Sequence, residues 1–189
     1  MVLSRFLRSE AKRRCKVGHK HLNQSIDRPV HPFNACKDIL RGIKSDSRWF
    51  LKFDAAQGYH QIPLDKESSR LTTFLVESGR YRYTCAPMGL NPSLDHFCSR
   101  SDEAFSSVED LLKIVNNGLL QAPTLPDLLK GFRQVLECCR RYNLTLSRPK
   151  LQIGQSVIFA GYEISKDGVK PEAHKTCLLY TSPSPRDRG

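Results

Sequence analysis

Lys52-Phe53-Asp54-Ala55-Ala56-Gln57-Gly58-Tyr59-His60-Gln61-Ile62 is the stretch on which the reading of the fold turns, taken together with Lys113-Ile114-Val115-Asn116-Asn117-Gly118-Leu119-Leu120. The first closes an apolar, strand-forming run, Trp49-Phe50-Leu51-Lys52-Phe53, and stops at Asp54. A carboxylate at a strand end is held rigidly beside solvent. In the second, Leu111 to Val115 and Leu119-Leu120 read as two apolar strands about an Asn-Asn-Gly turn. Asn tolerates left-handed backbone and Asn-Gly suits a hairpin, so these residues support the turn well.

Upstream, two prolines in Arg28-Pro29-Val30-His31-Pro32-Phe33 impose an extended segment. Asp38 to Ile43 then predicts a short helix closed by Gly42 and Asp46, with Ile39 and Leu40 inward. Downstream, Leu71 to Val76 and Tyr81 to Cys85 predict a hairpin about Glu77-Ser78-Gly79-Arg80. Ala86 to Pro92 is a breaker-rich loop. Leu94, Phe97, Cys98, Phe105 and Val108 follow at helical spacing. Thr124 and Asp127, at capping-box spacing, open a second helix with the stripe Leu125, Leu128, Leu129, Phe132, Leu136 and Cys139, ending near Asn143. Val157 to Ile164 reads as one strand, and Lys166-Asp167-Gly168 turns it into a short last strand at Val169. This order predicts an α+β fold, with helices packed on an antiparallel sheet.

The 189 residues are 39% hydrophobic, enough for one domain with a core, and a charged share of 26% argues against global disorder. No apolar run approaches the ~20 residues that cross a bilayer. The opening Met1 to Arg8 lacks a long apolar core and a small-residue cleavage site, so we read no signal peptide and expect an intracellular protein with no membrane partner. The net charge of +11 is uneven: residues 1–20 carry seven Lys/Arg against one Glu, leaving only a modest excess in the body. Such an arm suits a polyanionic partner, and equally a solvated basic end. The seven cysteines form no Cys-x-x-Cys pair and none has a His at zinc-ligand spacing, so reduced thiols are the expectation.

Taken together, Phe53-Asp54 with Gly58-Tyr59-His60-Gln61, Pro87-Met88-Gly89, the Asn116-Asn117 turn, Lys150 and Phe159-Ala160-Gly161-Tyr162 resemble, in order and spacing, the reverse transcriptase of gypsy-like LTR retrotransposons and, more distantly, of retroviruses. The resemblance covers about residues 22–176 and implies an incomplete polymerase palm with a fingers remnant over 21–176. It implies an RNA-directed DNA polymerase that transfers nucleotides to a primer 3′-hydroxyl with two Mg²⁺, on RNA or DNA template with primer and dNTP. It makes Asp54 a metal-binding carboxylate. Nucleotide contacts fall to Ala55, Ala56, Tyr59, Met88 and Gly89, with Tyr59 as the gate beneath the sugar. Phe159, Gly161 and Tyr162 become the primer grip, and Lys150 the proton donor to pyrophosphate. Where the family carries Asp-Asp, this chain carries Asn116-Asn117. Two divalent ions need several anionic oxygens, and an amide offers a neutral one, so the resemblance also implies an inactive copy. A non-catalytic nucleic-acid-binding palm and a functionless relic are the alternatives. Residues 1–20 lack the family's pattern and read as a basic arm from a different start, while Cys177 to Asp187 is similar to a translated sequencing adapter, making 177–189 an adapter tail.

Overall fold

The computed structural model describes residues 19–32 and 36–172. The basic arm expected over 1–20 therefore falls outside the described residues apart from His19 and Lys20, as does the tail expected over 177–189. The described residues form five α-helices, α1 (Lys20–Gln24), α2 (Cys36–Arg41), α3 (Lys66–Leu71), α4 (Asn91–Phe105) and α5 (Leu125–Arg141), two short 3-10 turns and nine strands, joined by loops. The strands are β1 (Trp49–Asp54), β2 (Phe74–Val76), β3 (Gly79–Tyr81), β4 (Leu111–Ile114), β5 (Asn117–Ala122), β6 (Gln152–Gly154), β7 (Ser156–Phe159), β8 (Tyr162–Ser165) and β9 (Gly168–Pro171). No described helix is long and apolar enough to cross a membrane.

The α+β expectation holds. A four-stranded antiparallel sheet runs β4-β5-β1-β6, and β7-β8-β9 form a second sheet. β1 is covered on both faces, which is why it reads as a mostly apolar run, interrupted only by the half-buried Lys52. Leu51 and Phe53 pack against Ala104, Phe105, Leu128, Val135 and Cys139 of the two long helices. Phe50, pointing the other way, packs with Ile39, Leu119, Val157, Phe159 and Ile164. Alternation along one strand thus holds two cores together.

Several expected elements differ. The hairpin before residue 85 is shorter, β2 and β3 with Glu77-Ser78 between them, because Leu71 belongs to α3. Asp65 caps that helix, accepting from the backbone N–H of Glu67 at 2.8 Å and Ser68 at 2.9 Å. Val157 to Ile164 is not one strand but the β7–β8 hairpin, since Ala160 (φ 52) and Gly161 (φ 80) both adopt left-handed backbone and pair Phe159 with Tyr162. On α5, Leu129 and Leu136 face outward, and Val135, absent from the expected stripe, is buried instead. β6, at the edge of the main sheet, had no expected counterpart.

On α4, Leu94 is only half-buried while Ser93, Asp95 and Ser101 are buried. Asp95 explains the cost: its carboxylate accepts from Arg28 Nε at 2.7 Å and from the His31 backbone N–H at 3.1 Å, pinning the extended 27–32 segment to the helix. The Arg28 hydrogen bond, opposed by burial, holds the Asp95 carboxyl below its usual range. A depressed folded value stabilises above the unfolded range and is lost as pH falls. Asp95→Asn should therefore be less stable than the parent at neutral pH, with the gap closing below about pH 4. Denaturant midpoints across pH check this; a gap that persists in acid would contradict it.

Candidate functional site

Asp54 ends β1 opposite Asn117, which begins β5, so the two lie side by side on adjacent strands. The expected Asn-Asn-Gly turn is displaced by one residue. β4 ends at Ile114, paired with Asn117, so Val115 and Asn116 form the two-residue turn and Asn117-Gly118 belong to β5. Val115 takes left-handed backbone (φ 52), an outlier for a β-branched residue. Register explains the shift: Gly118 must sit opposite Phe53, whose ring occupies the space a Cβ would need.

Two side chains meet Asp54, which is 6% exposed, and a third reaches it through one of them. Lys150 Nζ donates to Oδ1 at 3.0 Å. Asn116 Nδ2 makes a long contact to Oδ2 at 3.5 Å, and Asn117 Nδ2 donates to Asn116 Oδ1 at 3.2 Å. The Asn116 carbonyl also accepts from the Ala55 N–H at 2.8 Å, locking the turn to the end of β1. Asp54, Ala55, Asn116, Asn117 and Lys150 are thereby brought together.

The other expected residues lie further out. Ala56 donates its N–H to the Thr145 carbonyl at 2.8 Å. Tyr59 lies in a 3-10 turn, Gly58–Gln61, with its ring edge-on to Phe97 at 5.9 Å, and burial pushes its phenol up. Phe97 in turn lines a small cavity with Asn116, Asn117 and Gly118. Met88 is exposed, and Gly89 (φ 90) accepts from the Asn23 side chain at 2.8 Å. Phe159 is fully buried beside Phe50, and Gly161 and Tyr162 sit at the β7–β8 turn. The hairpin therefore covers the face of β1 that carries Phe50, and Phe159 is first of all a core residue.

Sequence reasoning missed Lys113. It stands opposite Gly118 on β4, lines the same cavity, and directs its ammonium to Asp102 and to the Ser101 hydroxyl at 2.9 Å, 5.5 Å from the centre of the Phe105 ring. Burial pushes this ammonium down, against the opposing bond to Asp102. A lone lysine in Leu111-Leu112-Lys113-Ile114, with an aspartate on the preceding helix, was the available signal.

The residues present do not fit a pair of divalent ions. One carboxylate faces the site, both its oxygens meet N–H donors, and the two neighbours are amides. Among the described residues no three His, Cys, Asp or Glu side chains are grouped to hold a metal.

Residues 13–164 match the family described as "Reverse transcriptase (RNA-dependent DNA polymerase)". The chain is 27% identical over 177 residues to the retrovirus-related Pol polyprotein from transposon 412 of Drosophila melanogaster, covering 92% of this chain and 14% of that one. It is 31% identical over 173 residues to the enzymatic polyprotein of cauliflower mosaic virus (strain D/H), covering 86% and 24%. Its fold is similar to part of the foamy viral protease-reverse transcriptase solved with RNA/DNA hybrid (TM-score 0.81, 18% identity, 89% of this chain and 23% of that one). The foamy viral protease-reverse transcriptase dRH solved with double-stranded DNA gives a TM-score of 0.85 at 18% identity, over 94% of this chain and 31% of that one. The chain thus spans a quarter or less of these two polyproteins and a third or less of these two solved chains.

Proposed function

The chain belongs to the reverse transcriptase (RNA-dependent DNA polymerase) family, and from that premise we propose that it is the palm-bearing part of a retroelement polymerase that retains nucleic-acid binding and has lost nucleotide transfer. The observation that carries this reading is Asp54 facing Asn116 and Asn117 at the paired ends of β1 and β5. The scaffold that would converge three carboxylates is intact, and two of the three are amides. Mg²⁺ supplies the charge that activates the primer hydroxyl in such polymerases; here one carboxylate must hold it alone. The fingers remnant and palm over 21–176, and the nucleotide and primer-grip roles of Ala55, Ala56, Tyr59, Met88, Gly89, Phe159, Gly161 and Tyr162, belong to the same proposal. The relatives solved with RNA/DNA hybrid and double-stranded DNA support duplex as the partner class, as does the chain's net charge of +11.

Two measurements test it together. Primer–template duplex should bind modestly and without sequence preference, with log affinity falling linearly against log salt because phosphate contacts dominate. Primer extension with Mg²⁺ or Mn²⁺ should give no product. Extension by the unaltered chain would overturn the loss of transfer; no binding at low ionic strength would overturn the retained one.

A further inference from the structure

We propose that Lys150 is the resident cation of this site: its ammonium stands where a divalent ion would neutralise Asp54, and the site takes a phosphodiester backbone without metal. This rests on the duplex-binding reading above and specifies its chemistry. The observation is a directed relay. Asn117 donates to Asn116, Asn116 points its NH₂ at Asp54 Oδ2, and Lys150 donates to Oδ1. Every donor in the relay runs toward one carboxylate, and both carboxylate oxygens are used. A hard cation needs oxygens aimed at it. To admit one, Lys150 would have to leave and the Asn116 amide turn over, and that turn breaks its acceptance from Asn117.

The backbone beneath Lys150 is tied to Asp54 itself, although 96 residues separate the two. Lys150 closes a 3-10 turn, Arg148–Lys150, and donates its N–H to the Ser147 carbonyl at 3.0 Å. Ser147 donates its own N–H to the Asp54 carbonyl at 2.8 Å. Two residues before Ser147, Gln61 clamps Thr145 from both sides, accepting from its N–H and donating to its carbonyl, each at 2.9 Å. The origin of the lysine is thus fixed relative to the carboxylate it meets.

The Lys150 side chain is 61% exposed, while that of Asp54 is 9% exposed. An ammonium has three donors. One is spent on Asp54, which anchors it, and the others are open to a phosphate oxygen, for which lysine serves as a point-charge partner.

The test uses the whole chain with a primer–template duplex, in Mg²⁺ and in chelator at matched ionic strength, for the parent, Lys150→Met and Lys150→Arg. Chelation should change parent affinity by less than about twofold. Lys150→Met should weaken duplex binding in both buffers by about threefold to tenfold, the scale of one lost phosphate contact, and Lys150→Arg should keep most of it. In a Mn²⁺ titration read by paramagnetic broadening, Lys150→Met should bind the ion at least tenfold tighter than the parent, because Asp54 loses its internal partner. Parent duplex binding that collapses on chelation, Lys150→Met binding duplex as the parent does, or equal Mn²⁺ affinity in the two chains would each overturn the proposal. Duplex binding absent from every chain at low salt would instead sink the duplex-binding reading, and the Mn²⁺ comparison would still decide the role of Lys150.

Discussion

Converting Asn116 and Asn117 together to aspartate should create a divalent-cation site beside Asp54, tightening Mn²⁺ or Mg²⁺ binding by at least about tenfold, or ~1.4 kcal/mol. The scaffold for this is already in place. Asp54 and Asn117 are register partners on adjacent strands, and the Asn116 side chain reaches Asp54 Oδ2 at 3.5 Å. Three converging carboxylates offset most of the charge of two dications, whereas one cannot. Asn116→Asp alone should account for most of the gain, since Asn117 reaches only Asn116 and not Asp54. If Lys150 competes with the ion for Asp54, adding Lys150→Met to the double variant should tighten binding further. Metal binding and synthesis are separate outcomes, because transfer also needs residues that hold the triphosphate. The measurement is therefore calorimetric or paramagnetic titration, not primer extension. A double variant that binds no better than the parent would show that this turn is not the lost half of a two-metal site.

The parts of this fold that were legible in the sequence are those where one strong signal dominates. The largely apolar run ending at Asp54 gave β1 because both faces of the strand are buried and each carries at least one apolar side chain. Thr124, accepting from the Asp127 N–H at 3.3 Å, gave the start of α5. The rest went astray where a tertiary contact outweighed local pattern. Leu129 and Leu136 look like core residues by composition, yet the phase of α5 is set by Leu128, Val135 and Cys139 against the sheet. Asp95 and Lys113 look like surface residues, yet each is paired with a charge on another segment, Arg28 and Asp102 respectively. The site divides the same way. Motif spacing placed Asp54, Asn116 and Asn117 together, but nothing in Leu146-Ser147-Arg148-Pro149-Lys150 says that its backbone is bonded to the carbonyl of Asp54.

Gly118 shows how a local rule can give a sound turn in the wrong place, and it carries the largest expected effect on stability. Asn117-Gly118 satisfies hairpin chemistry, but Gly118 is a buried strand residue between Phe53 on β1 and Lys113 on β4. A Cβ there would lie 2.2 Å from Phe53 Cζ and 2.6 Å from Cε2. The glycine is needed for that close approach, as glycines within strands often are. The ring cannot retreat freely: Phe53 is 3% exposed and packs against Phe105 at 5.9 Å. Gly118→Ala should therefore destabilise by about 1–3 kcal/mol through overpacking, lowering the melting temperature by roughly 2–4 °C per kcal/mol in a chain of this size. Phe53→Leu alone should also destabilise, by leaving space in the core. Combined, the two changes should cost less than their sum, because the smaller side chain vacates the volume the new methyl takes. Denaturant midpoints for the two singles and the double give the coupling directly. Additive losses, or a Gly118→Ala chain as stable as the parent, would mean the ring has somewhere else to go, and that steric fit at Gly118 does not set the register that brings Asn117 beside Asp54.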